Sequence, residues 1–304
     1  MAKSNEDNKF EQLVSRMEPE GKLLSKREMA GGVSARVTAI ELLLGDGRIT
    51  NRIVRRHGEA DLKRNPKIAA AEFKLLQMMR SEGLPVPGPY YLDESCEIFP
   101  EPYLVIEYVP GGTDFTPSNM NSYIFQLAAN LAAIHRVDCS QLHLPLPIQE
   151  EIAAEMLVQS SLHTDESLNV SKIRETLNAV WPLTRTNKVA LLHGDYWPGN
   201  ILWNDGKLAA IIDWEDAALG DPLTDLGNAR LEILFHFGKD AMNEFTRQYR
   251  SLMTAIDYTN LPYWDLYAAL RLSKFPDWGL DKITEGTMRE RHRWFVTESL
   301  HNMK

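Results

Sequence analysis

Cysteine is scarce in this chain, long apolar runs are missing, and positive charge is in deficit. Cys96 and Cys139 are the two thiols in 304 residues. Neither has metal-ligand spacing, so a disulfide framework is excluded and a reducing, cytoplasmic compartment is expected. Residues 1–8 are polar and mixed in charge, without the apolar centre of a signal peptide. No apolar stretch approaches the roughly 20 residues of a membrane span, so no membrane partner is expected. A net charge of −9 excludes a general nucleic-acid binder, which needs a basic face. Internal repeats and low-complexity tracts are also missing.

The acidity that is present is uneven. Residues 1–109 carry 16 Lys/Arg against 17 Asp/Glu, whereas residues 110–304 carry 17 against 25. Such a second half suits a solvated surface or the attraction of a cationic small molecule. Apolar spacing divides the chain at the same place. Residues 10–17 have helical spacing, and strands are expected around 21–24, over 37–44 and over 49–56, with Gly45-Asp46-Gly47 as a turn. A helix is expected over 66–82, with Pro66 in its first turn and Gly83 closing it. The proline-rich residues 84–89 read as an extended connector, and 103–109 as a buried strand ended by Pro110-Gly111-Gly112. Beyond it helices dominate: 123–135, 150–163, 170–180, 224–237, 241–253, 263–275 and 284–301. They are interrupted by a short strand at 189–192 and a hairpin over 201–213. The lone His135 at the end of one helix reads as a packed or capping residue.

One stretch carries chemistry. His193-Gly194-Asp195-Tyr196-Trp197-Pro198-Gly199-Asn200 is followed by Ile211-Ile212-Asp213-Trp214-Glu215. Asn200 precedes one strand of the hairpin and Asp213 ends the other, so the hairpin brings them close, with Asp195 on the loop before them. Magnesium takes a few oxygen ligands beside waters and phosphate oxygens, which suits Asn200 and Asp213. The remaining carboxylate, Asp195, can accept the proton of an attacking hydroxyl. Each residue alone is a common turn or cap residue. Together, with an Asp-to-Asn spacing of five, they point to phosphoryl transfer.

On these residues, with Gly220-Asp221-Pro222 and Asp225-Leu226, the chain resembles the aminoglycoside phosphotransferase and choline kinase group of small-molecule kinases. The resemblance spans nearly the whole chain. It implies an α+β, protein-kinase-like two-lobe fold, with a small antiparallel-sheet N-lobe (1–109, nucleotide-binding) and a larger, mainly helical C-lobe (110–304, catalytic loop and substrate pocket). It implies ATP and Mg²⁺ as cofactors, Asp195 as catalytic base, Asn200 and Asp213 as metal ligands, and a structural His193. Gly31, Gly32 and Ser34 are expected over the phosphates. Arg55 stands where such kinases carry a strand lysine, with Glu72 as its helix partner; Arg56, by strand alternation, should point the other way. The adenine is expected at the backbone of Glu107 and Val109. The implied partner is a small-molecule hydroxyl acceptor, cationic in one reading. Trp214-Glu215 after Asp213, and the short path to Asp221, argue against a protein kinase. The Arg in place of Lys is the one feature favouring a catalytically silent nucleotide-binding scaffold.

Overall fold

A computed structural model describes residues 5–29, 35–141, 144–158 and 165–303. The chain divides into two compact units, residues 1–110 and 111–304.

The first unit is built on an antiparallel sheet of β1 (Lys22–Glu28), β2 (Ala35–Leu43), β3 (Ile49–His57), β4 (Pro89–Asp93) and β5 (Tyr103–Glu107), in the order β1-β2-β3-β5-β4. Strand alternation gives β3 two different faces. Val54 faces α1 (Asn5–Met17), whose Phe10, Leu13 and Val14 are buried with Ile40, Leu42, Phe99 and Val105. Each such side chain contributes about 1.5–3 kcal/mol by leaving water. Arg56 lies on this same face, its guanidinium 4.5 Å from the centre of the Phe99 ring. Arg55 lies on the opposite face, beneath α3 (Ile68–Ser81).

The helix expected over 66–82 is α3, and a helix absent from the sequence reading precedes it. A short α2 (Glu59–Arg64) ends at Asn65, and α3 begins after the proline. Pro66 breaks the run rather than opening it, because a residue before proline is driven out of the helical region; Asn65 has φ −144° and ψ 98°. Gly83 does close α3, with φ +78°. The connector at 84–89 continues into β4, a strand the sequence reading lacked. It lies at the sheet edge, where Pro89 costs no central ladder bond. β1 runs further than expected because its polar, exposed sequence shows no alternation.

The second unit holds α4 (Met120–His135), α5 (Gln149–Val158), α6 (Val170–Asn178), α7 (Leu223–Phe237), α8 (Lys239–Leu252), α9 (Leu261–Arg271) and α10 (Lys282–His301). Two small antiparallel pairs accompany them: β6 (Ala190–Leu192) with β9 (Ala218–Gly220), and β7 (Ile201–Asn204) with β8 (Lys207–Ile211). The three-residue β9 carries too short a pattern to be legible in sequence. The β7–β8 turn has Asp205 at φ +50° and Gly206 at φ +71°, the conformation that two-residue hairpins require. α7 is buried along most of its length and packs against α8, α9 and α10. Among the described residues, no helix is long and apolar enough to cross a membrane.

Candidate active site

In the second unit the loop from β6 to β7 carries Asp195. Gly194 has φ +82°, and a Cβ there would lie 2.0 Å from the Asp216 carbonyl oxygen, so only glycine fits. Asn200 ends a short helical turn and its amide nitrogen donates to Asp195 twice, to the backbone carbonyl at 2.9 Å and to Oδ2 at 3.1 Å. Both partners are acceptors, so the NH₂ side must face Asp195 and the amide oxygen is left for another ligand. The Ile212 N–H donates to the Asn200 carbonyl at 2.9 Å, and Ile201 pairs with Ile211. The backbone thus sets Asp213 beside Asn200 at one end of the hairpin. Asp213 has φ +67°, a conformation uncommon outside glycine and favoured at functional positions. Two oxygen donors of this kind suit a hard divalent cation.

His193 joins the two halves of the site. It is fully buried; its Nδ1 accepts from the Asp195 N–H at 3.2 Å and its Nε2 donates to the Ile212 carbonyl at 3.0 Å. Both ring nitrogens are engaged by backbone groups, and the place of the ring is structural. Trp214 packs on it at 4.4 Å and is buried, whereas Trp197 is partly exposed near Phe115 and His236.

Two supporting residues escaped the sequence reading. Asp225, present in the sequence reading only within its motif, accepts from the His193 N–H at 2.7 Å and the Gly194 N–H at 3.0 Å. Its Oδ2 lies 3.3 Å from His135 Nε2, and His135 Nδ1 is 2.6 Å from the Tyr249 hydroxyl. Burial pushes the Asp225 carboxyl up, but His135 and the loop amides outweigh it and hold it below the usual range. Asp225→Ala leaves two loop amides without their acceptor, at about 1–3 kcal/mol each. A lower melting temperature together with lower turnover is expected; wild-type values for both would contradict this support. The second residue is Arg271, at the end of α9, whose Nη2 lies 3.0 Å from Asp195 Oδ1. Burial raises the Asp195 carboxyl, and the Arg271 charge opposes that rise.

In the first unit Arg55 Nε lies 3.2 Å from Glu72 Oε2, and both side chains are buried. His57, two residues along the same strand face, reaches the same oxygen at 2.9 Å and was also missed in sequence. Burial pushes the Glu72 carboxyl up, yet Arg55 and His57 together leave it below the ordinary range. Glu72→Ala removes the carboxylate both residues face. Breaking a buried pair from one side costs about 3–5 kcal/mol; an unchanged urea midpoint would contradict this. Arg55 shares its sheet face with a cavity of about 250 Å³ lined by Ser25, Arg27, Ala39, Glu41, Asn51 and Tyr108. Tyr108 stands between Glu107 and Val109. The Glu107 side chain is engaged through Oε2 by Arg80 at 2.6 Å and by the Gly88 N–H at 3.0 Å. Gly31, Gly32 and Ser34 lie outside the described residues.

Residues 27–264 match the phosphotransferase enzyme family (APH), and the chain belongs to that family. Its fold is the protein-kinase-like fold of solved phosphotransferases. An aminoglycoside 2'-phosphotransferase in complex with GDP has a TM-score of 0.66 at 18% identity, covering 98% of this chain and 97% of that one. A macrolide 2'-phosphotransferase from Brachybacterium faecium has 0.64 at 17%, covering 93% and 97%. An aminoglycoside phosphotransferase in ternary complex with AMP-PNP and hygromycin B has 0.64 at 15%, covering 95% and 97%. Among curated proteins, acyl-CoA dehydrogenase family member 10 of Mus musculus is 27% identical over 168 residues, 51% of this chain and 16% of its own length. Member 11 of Rattus norvegicus is 25% identical over 238 residues, 67% of this chain and 30% of its own length. The chain thus spans less than a third of these two relatives.

Proposed function

We propose that this protein is an ATP-dependent kinase that phosphorylates a hydroxyl of a small molecule. The observation that carries the reading is the joined trio: Asn200 bonded to Asp195, and His193 tying Asp195 to the strand end that bears Asp213. Asp195 orients the acceptor hydroxyl toward the γ-phosphorus and takes its proton as the P–O bond forms and ADP leaves. Each carboxylate oxygen has two lone pairs, so the bonds from Arg271 and Asn200 leave room for the hydroxyl. Asn200 and Asp213 hold Mg²⁺, which when bound neutralises charge on the phosphate oxygens. In the first unit Arg55, set by Glu72, grips the phosphates together with Gly31, Gly32 and Ser34. The base donates to the Glu107 carbonyl and accepts from the Val109 N–H, next to Tyr108. The 1–109 and 110–304 segments are thereby the nucleotide and the catalytic, acceptor-binding parts. Two free thiols accord with a cytoplasmic setting.

ADP formation with Mg-ATP over a panel of hydroxylated small molecules tests the reading. The panel includes aminoglycosides and macrolides, after the solved neighbours, amino alcohols for a cationic acceptor, and hydroxyacyl-CoA thioesters, after the names of the curated relatives. Acceptor-dependent ADP release is expected for at least one class. Tight Mg-ATP binding without release for any of them favours a silent nucleotide-binding scaffold.

A further inference from the structure

Arg271 is the last residue of α9, 76 positions from Asp195, and the sequence motif contains nothing that anticipates it. Its guanidinium is shared among four groups. Nη1 donates to the Gly194 carbonyl and lies 3.3 Å from Asn228 Oδ1. Nη2 donates to Asp195 Oδ1 at 3.0 Å and lies 3.7 Å from Asp216 Oδ2. One planar fork therefore spans the loop that carries Asp195 and the loop that follows Asp213. A lysine, with a single ammonium, cannot reach both sides in this way.

The fork is itself held in place. Arg230 of α7 makes a two-point contact with Asp265 of α9, Nε to Oδ1 at 3.0 Å and Nη2 to Oδ2 at 3.1 Å. Gly227 of α7 lets the α9 backbone approach closely, since a Cβ there would lie 2.9 Å from the Trp264 carbonyl oxygen. Asn228, on the same helix, accepts from Arg271 and directs its amide toward the Tyr196 carbonyl at 3.5 Å. α7 and α9 are thus locked together, and the end of α9 presents a fixed cation to the loop.

We propose that Arg271 is a positioning residue for phosphoryl transfer, holding the Asp195 carboxylate by one oxygen so that it meets the acceptor hydroxyl in a single orientation. The inference rests on the kinase reading of Asp195. With Oδ1 fixed by Arg271 and Oδ2 by Asn200, rotation about the Asp195 side chain is blocked. A carboxylate free to turn loses near-attack geometry, where a misplacement of about 1 Å costs on the order of 10²-fold.

A double-mutant cycle tests this in single-turnover transfer, with Arg271→Met, Asp195→Asn and the pair together. Arg271→Met is expected to lower the transfer rate by about 10²-fold while leaving the KM for ATP near wild type. In the Asp195→Asn background the same change is expected to cost less than about threefold, because the group it positions is gone. If the Met variant does not fold, Arg271→Lys, which keeps the charge and loses the fork, carries the same cycle. An equal cost in both backgrounds, or full activity in a folded Arg271 variant, overturns the inference while leaving the kinase reading intact. No transfer by the wild-type chain removes the kinase reading, and the inference with it.

Discussion

Asp195→Asn is expected to lower turnover by about 10²–10⁴-fold, the range for losing a positioned base, with ATP binding largely kept. The substitution is nearly isosteric. The Asn200 amide keeps its bond to the backbone carbonyl of residue 195, and the single side-chain oxygen of the new amide can serve the Arg271 fork. The His193 and Asp225 bonds to the loop backbone do not involve the altered side chain. The effect should therefore appear in kcat, not in folding. Removing a partly buried carboxylate from beside a cation also has a structural side, because Arg271 then has, among the described residues, only Asp216 as a carboxylate partner. A melting temperature near wild type with a collapsed kcat separates the chemical role from that one. A variant that turns over like wild type removes Asp195 from the chemistry.

Asp213→Asn is expected to lose activity and to need more magnesium, both in one variant. An amide oxygen carries no net charge, and a hard cation held by one charged and one neutral donor loses its only charged protein ligand. Nothing about the backbone should change. Asparagine accepts the left-handed conformation of φ +67° about as well as aspartate does. The loss should be partly recovered by raising Mg²⁺, with the half-saturating concentration well above wild type. Equal activity of variant and wild type at low magnesium contradicts the assignment of Asp213 as a ligand.

The sequence was most legible where function compresses several groups into one short stretch. Asp195 and Asn200 are five residues apart, and a hairpin with a readable turn delivers Asp213 to the same end. Apolar periodicity likewise located β2, β3, β5 and most helices of the second unit. Legibility fell where a side chain acts across long separations. Asp225 reaches back 32 residues to the His193 amide, and Arg271 reaches 76 to Asp195. No local pattern encodes such contacts, because helix packing creates them. His57 was missed for a related reason: its bond to Glu72 depends on which face of β3 lies beneath α3. Pro66 reads in sequence as opening a helix, whereas it lies between α2 and α3. The restriction on Asn65 decided for the break.

The central claim is that Asp195 directs the γ-phosphoryl group of ATP onto an acceptor hydroxyl. Its most direct test is a single-turnover reaction with γ-labelled Mg-ATP and an acceptor taken from the panel, followed by mass spectrometry of the products. The account predicts one labelled phosphoryl group on the acceptor for each ADP formed by the wild-type chain. Asp195→Asn should form this product at least about 10²-fold more slowly. Label appearing only as free phosphate, or on the acceptor at the same rate in both proteins, would contradict the account.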